Sequence, residues 1–208
     1  MSMIAPDLVR RLKRLRLGGL LPTLPDRATA ARQGNLSPLE FLELLLQDEI
    51  DRRDSHGLAN RVAAAGFEEV VSLEQVTWDT PVAFDRPRVR DLFNLQWLEA
   101  HENIAFCGPV GVGKTFLACA LGHSACRVGA HVRFVKLARL LQGLHQSRAD
   151  NSFERELRSW VVPDLIVIDD FGLRKLSAQQ SSDFYDVLVE RHTRVSTVIY
   201  VIWNMVCV

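Results

Sequence analysis

The chain has few cysteines, and none of them pairs at metal or redox spacing. Its four are Cys107, Cys119, Cys126 and Cys207, with no C-x-x-C among them, which argues against zinc ligands and disulfides. They read as small buried hydrophobes of a reducing, cytoplasmic compartment, two of them in core positions beside the glycine-rich loop described below. No apolar run is long enough to span a bilayer. The N-terminus carries Arg and Lys but not the uninterrupted apolar core of a signal peptide. Net charge is also lacking, since 25 Lys and Arg balance 25 Asp and Glu, so whole-chain charge points to no nucleic-acid partner. Internal repeats and low-complexity tracts are absent, and the six histidines are scattered, which suits structural or solvent-facing roles. What remains is ordinary globular material, 48% hydrophobic and 24% charged over 208 residues. That is enough for one domain, or for a small one and a larger one.

Against this plain background one stretch stands out. Gly108-Pro109-Val110-Gly111-Val112-Gly113-Lys114-Thr115 fits the phosphate-loop pattern G-x-x-x-x-G-K-[ST] throughout. Asn103 to Cys107 reads as a short buried strand before it, and Phe116 to Arg127 as a helix after it. Strand, loop and helix in that order are the context the motif requires. The glycines let the backbone curl so that its N–H groups face phosphate oxygens, and the positive helix end adds to the attraction. Lys114 is expected to reach the β- and γ-phosphates of ATP, and Thr115 to place its hydroxyl on Mg²⁺.

The first third of the chain reads as helical. Leu8, Leu12 and Leu15 share one face of a helix that Gly18-Gly19 ends. A second stretch covers Pro25 to Arg32. Ser37-Pro38-Leu39-Glu40 opens a third with a capping box and Pro at the first helical position; it is expected to run to about Asp54, with a further segment ending at Gly66. Val70 to Arg90, with Pro81 and Pro87, reads as a connection. Thereafter strands and helices alternate: helix over Val89–Leu98, strand at Ile104–Cys107, loop and helix to Gly129, strand at His131–Val135, helices at Leu137–Gln146 and Phe153–Trp160. A strand at Leu165–Ile168 follows, then a helix capped by Ser177 and Gln180 and reaching about His192, and a strand at Thr197–Ile202. The expected organisation is a helical domain over 1–66, a linker over 67–88 and an α/β domain with a parallel sheet over 89–208.

Leu165-Ile166-Val167-Ile168-Asp169-Asp170 is the second chemical signature. A wholly apolar run suits a parallel strand buried on both faces. It ends in two carboxylates at the sheet edge where ligands bind in open α/β folds. Asp169 is expected to hold Mg²⁺ opposite Thr115, and Asp170 to orient or deprotonate a water that attacks the γ-phosphate. Lys114 and Asp170 are thus the candidate catalytic residues. A second carboxylate also separates this pattern from small-molecule kinases.

Together these motifs resemble the IstB-like AAA+ ATPases that assist insertion-sequence transposases. The resemblance rests on GPVGVGKT, on IDDFG followed by Leu173, and on two N-terminal stretches, Leu15 to Leu20 and Leu36 to Leu42. Arg88 to Leu92 and Glu102-Asn103 match in style, and the likeness extends to about Val198. It implies a P-loop NTPase core of AAA+ type behind a small all-α domain. It also implies ATP bound between neighbouring subunits, ATP-dependent self-association on double-stranded DNA, and recruitment of a transposase. DnaC-like helicase loaders are similar and form the alternative. For DNA contact, residues 1–36 carry seven Lys or Arg against Asp7 and Asp26, a local charge of +5. Arg10, Arg11, Lys13, Arg14 and Arg16 are the candidates, against a merely solvated helix face. The stretch Arg133 to Arg148 is a second possibility.

The C-terminus departs from that family. A Thr-Ser-Asn segment, whose Asn helps position the attacking water, is expected after Thr197, followed by more sheet and an arginine acting in trans. Here the chain reads Tyr200 to Val208, with Asn204 in an unrelated context. This reads as a truncated or frameshifted copy lacking the last core strand, or even a relic without function. The expectation is an exposed edge at the first strand and impaired hydrolysis.

Overall fold

The structure, a computed structural model, describes residues 4–76, 85–109 and 111–202. The chain divides into two compact units, Met1–Ala59 and Asn60–Val208. The division falls inside a helix, N-terminal to the boundary at Gly66 read from the sequence.

The first unit contains α1 (Pro6–Arg14), a 3₁₀ turn at Gly18–Leu20, α2 (Leu24–Gln33) and the start of α3 (Pro38–Ala65). Proline opens all three helices within their first two positions, where its missing N–H costs nothing. The capping box on α3 forms: Ser37 N donates to Glu40 Oε2 at 2.7 Å, and Glu40 N to Ser37 Oγ at 3.3 Å. The expected stop near Asp54 does not occur. A lone Gly57 costs only about 1 kcal/mol in a helix interior, too little to end it, and α3 runs on until Gly66 adopts φ +72°. The Leu8–Leu12–Leu15 face is only partly used, since Leu8 and Leu15 stay exposed.

What locks this unit is charge. Glu49 is buried and accepts from Arg52 Nε and Nη2 at 2.9 and 2.8 Å and from Arg53 Nε at 2.8 Å. Arg53 also donates to the Arg16 carbonyl at 2.5 Å, tying the end of α1 to α3. Gly19 lies directly beneath them: a β-carbon there would sit 1.9 Å from Arg52 Nε and 2.5 Å from Glu49 Oε2. Arg27 forks onto Asp48 at 2.7 and 2.8 Å, joining α2 to α3.

The second unit opens with a 3₁₀ turn at Leu73–Gln75, α4 (Arg86–Asp91) and α5 (Gln96–Glu99). The expected single helix over Val89–Leu98 is broken at Leu95, which sits at φ 60°. Trp97 Nε1 donates to the Leu92 carbonyl at 2.7 Å, and Leu95, Trp97 and Leu98 are all buried. Burial of three large side chains outweighs the local cost of the left-handed residue.

The rest is β1 (Ile104–Gly108), α6 (Lys114–Arg127), β2 (Val132–Lys136), α7 (Leu137–Ala149), α8 (Phe153–Val161), β3 (Leu165–Phe171), α9 (Ala178–Arg191) and β4 (Ser196–Ile202). The four strands form one parallel sheet in the order β1-β4-β3-β2. Central β3 is buried from Leu165 to Asp169. Val135, Leu140, Leu144, Trp160, Ile166, Ile168 and Val187 share one core cluster. Elsewhere α6 buries Ala118 through Gly122 and Ser124 through Cys126. Cys119 and Cys126 are buried as expected, and burial pushes the Cys126 thiol up to about 11. Cys107 is exposed instead, because β1 is an edge strand among the described residues and its residues are alternately half-buried and exposed. Cys207 lies outside the described residues.

Arg191 closes the end of this unit. It is buried, donating to Thr197 Oγ1 at 3.0 Å, to the Trp160 and Pro163 carbonyls at 2.9 Å, to Val161 at 3.2 Å and to the Ser196 carbonyl. Burial pulls its guanidinium down to about 10, still charged at neutral pH. Arg191→Met leaves these carbonyls without a donor. We expect it to cost about 3 kcal/mol or more, read as a lower urea midpoint. Glu49 gives a pH test. Its arginine partners depress its carboxyl from 4.5 to about 2, so the stability it confers is complete above pH 4.5 and is lost as pH falls toward 2. The difference in urea midpoint between the native chain and Glu49→Gln should therefore shrink on acidification through that window.

Candidate nucleotide-binding site

The glycine-rich segment joins β1 directly to α6. Gly111 and Gly113 adopt φ +84° and +82°, conformations that a β-carbon disfavours. Gly113 is the N-cap of α6, so the first N–H groups of the helix open onto the loop. Val110 lies outside the described residues. Lys114 bends back across the loop, its Nζ donating to the Gly108 and Pro109 carbonyls at 2.9 and 2.5 Å.

Thr115, in the first turn of α6, donates from Oγ1 to Asp169 Oδ2 at 2.7 Å. Residues 54 positions apart in sequence thus meet beside the loop. Asp169 is 3% exposed, and its other oxygen, Oδ1, accepts the Asp170 N–H at 2.8 Å. Asp170 sits at φ +61°, and the pairing of β3 with β4 is irregular between Ile168 and Phe171. A bulge at the end of a strand re-aims side chains, which is how two consecutive acids serve one edge.

The strand between loop and acids is β4, with Val201 opposite both Cys107 and Phe171 and Ile202 opposite Gly108. Tyr200 is fully buried, stacked on Phe106 at 4.8 Å, and among the described residues its hydroxyl has no hydrogen-bond partner. Burial, and then the charge of Asp169, push that phenol well up. Trp203 and Asn204 lie outside the described residues.

Two residues escaped the sequence reading. Lys136 ends β2 in register with Asp169, 3.6 Å from Asp170 Oδ2 and 2.7 Å from Glu68 Oε1. The available signal was a cation at the C-terminal end of a strand, level with Asp169 on β3.

The basic candidates separate into two kinds. Arg10 pairs with Asp7 at 2.8 Å, but Arg11, Lys13, Arg14 and Arg16 are exposed. In the 133–148 stretch most cations have structural work. Arg133 lies 3.4 Å over the Trp160 ring and donates to Ser159, and Arg148 pairs with Asp183 at 2.5 Å. Among the described residues, Arg139 is the one of its four Lys and Arg that makes no ion pair or hydrogen bond.

Comparison with known proteins bears on this arrangement. Residues 10–204 match the model of the IstB-like ATP binding protein family. The chain belongs to this family. An insertion-sequence ATP-binding protein of Mycobacterium tuberculosis is 39% identical over 191 residues, covering 92% of this chain and 76% of that protein. One from Sinorhizobium fredii is 34% identical over 197 residues, covering 95% and 80%. The fold of the IstB-like core is that of the P-loop AAA+ proteins. It is similar to the DnaC helicase loader, with TM-score 0.53 and 23% identity over 57% of this chain and 68% of that one. It is also similar to DnaI, with TM-score 0.55 and 20% identity over 65% and 73%. Among the described residues no helix is long and apolar enough to cross a membrane.

The loop geometry yields a stability test. A β-carbon at Gly108 would make only ordinary contacts, at 3.7 and 3.8 Å, whereas Gly113 has the left-handed conformation. Gly108→Ala should leave the thermal midpoint nearly unchanged, while Gly113→Ala should cost about 1–2 kcal/mol.

Proposed function

We propose that this IstB-like chain is an ATP-binding DNA-remodelling helper of transposition, which assembles on DNA and recruits a transposase, with hydrolysis impaired. The observation that carries the nucleotide reading is the 2.7 Å contact between Thr115 and Asp169 beside a glycine loop with two left-handed residues. The loop from Gly108 to Thr115 cradles phosphates with backbone N–H groups. Lys114 leaves the Gly108 and Pro109 carbonyls and turns its ammonium onto the β- and γ-phosphates. The hydroxyl and carboxylate of Thr115 and Asp169 form a hard oxygen pair that suits Mg²⁺. When bound, Mg²⁺ supplies charge neutralisation between the phosphates. Asp170 polarises the attacking water.

One point supports impaired hydrolysis: the side chain of Val201, on the strand between loop and acids, offers no hydrogen-bonding group to hold a water. For DNA, the exposed cations of α1 and the residues after it are better placed than the engaged ones around α7. Transposition as the setting is supported by the insertion-sequence relatives.

The test is titration of a fluorescent ATP analogue with Mg²⁺ against the native chain and Lys114→Ala. Saturable binding that Lys114→Ala abolishes, with circular dichroism unchanged, is expected; equal binding by both would refute the assignment. On DNA, replacing Arg11, Lys13 and Arg14 by Ala should weaken binding for every sequence and reduce the salt slope by about 2–3. Co-purification with a transposase, and not with a replicative helicase, is the expected partner result.

A further inference from the structure

Apolar residues surround the first half of α3. Leu45 is buried, and Phe41 and Leu44 are half-buried. Leu39, Leu42, Leu46 and Ile50 recur at three- and four-residue spacing on another face, yet they are 78, 51, 44 and 51% exposed. A helix with one side in water carries polar residues there, so a contiguous exposed stripe of this kind marks a surface that another body covers. Acids edge the stripe. Glu43 stands one helical turn on from Leu39, and Asp54 one turn on from Ile50. Both are exposed, and among the described residues neither makes an ion pair.

The first helix carries the complementary set. Leu8 and Leu15, seven residues apart on one face of α1, are 42 and 68% exposed. Arg11 lies between them and Arg14 follows it by three residues; both are exposed and, among the described residues, without a carboxylate partner. The unit therefore pairs the charges that its own packing covers, Glu49 with Arg52 and Arg53, and Asp48 with Arg27. It leaves leucines with acids on α3 and leucines with arginines on α1, and among the described residues no ion pair joins these two sets within one copy.

We infer that α1 of one copy docks on the acid-edged leucine stripe of α3 in a second copy, with Leu8 and Leu15 on the stripe and Arg11 and Arg14 against Glu43 and Asp54. At a rise of about 1.5 Å per residue, Leu8 to Leu15 spans about 10 Å and Leu39 to Ile50 about 16 Å, so the short helix fits within the stripe. Reciprocal exchange about a two-fold axis gives each copy one α1 to donate and one stripe to fill, which closes the contact as a dimer. None of its residues belongs to the phosphate loop, so the dimer forms without nucleotide. Arg11 and Arg14 are also cations offered to DNA above; on that reading, DNA phosphates and a second copy compete for them. A phosphate backbone, unlike a second copy, would leave the α3 leucines uncovered.

Sedimentation equilibrium of the ligand-free full chain tests this. A monomer–dimer equilibrium that weakens as salt rises is expected, and Lys114→Ala should dimerise like the native chain. Leu42→Gln with Leu46→Gln should weaken dimerisation about tenfold or more. Glu43→Arg with Asp54→Arg, and separately Arg11→Glu with Arg14→Glu, should each abolish it, because like charges then meet. Mixing these two charge-reversed proteins should restore a dimer containing one of each. All the altered side chains are exposed, so circular dichroism should stay unchanged. A monomer at every concentration, a dimer indifferent to the leucine pair, or a mixture that fails to associate overturns the inference. Adding a short DNA duplex should dissociate the native dimer. If duplex leaves the dimer intact while the mixture still associates, the docking stands and the reading of α1 as a DNA contact fails.

Discussion

The burial of β3 on both faces is the constraint on which the site depends. A strand with Leu165 to Ile168 wholly inside must be flanked by other strands and covered by helices. The parallel pairing with β2 and β4 then places its C-terminal end beside the start of α6. From that follows the Thr115–Asp169 hydrogen bond, which ties the phosphate loop's helix to the acidic strand. A buried carboxylate without partners would be costly. Here a hydroxyl and a backbone N–H satisfy it, so the same contacts that shape the site also stabilise it.

The same burial makes the site asymmetric. On the β2 side Asp170 lies 3.6 Å from Lys136, which pairs more closely with Glu68 at 2.7 Å. On the β4 side the end of β3 pairs with Ile199 and Val201, and Tyr200 between them is fully buried. In the proposed function, phosphate binding draws on the loop and the helix end, which belong to β1 and α6, and water activation on Asp170 at the end of β3.

The N-terminal unit is held by a different kind of interaction. Two of its helices, α1 and α2, are short and bury no residue. Its organisation relies on a buried carboxylate shared by two arginines and on a forked Arg27–Asp48 pair. Part of the basic charge seen in the sequence is consumed in this way. The exposed remainder in residues 1–36 is Arg11, Lys13, Arg14, Arg16 and Arg32, with Arg10 paired to Asp7.

The sequence by itself determined what depends on local chemistry. The phosphate-loop glycines, the capping boxes at Ser37 and Ser177, and the apolar run of β3 each act over a few residues, and each formed where it was read. Helix ends were less legible. Gly57 is too weak a stop in isolation, and Leu95 turns left-handed only because Trp97 and Leu98 become buried. Strand order was decided by the tertiary structure alone, since neighbours in a parallel sheet are distant in sequence. That order exposed Cys107 on an edge strand and set Lys136 beside Asp170. It also assigned structural partners to Arg133 and Arg148, cations that in the sequence look the same as those of α1.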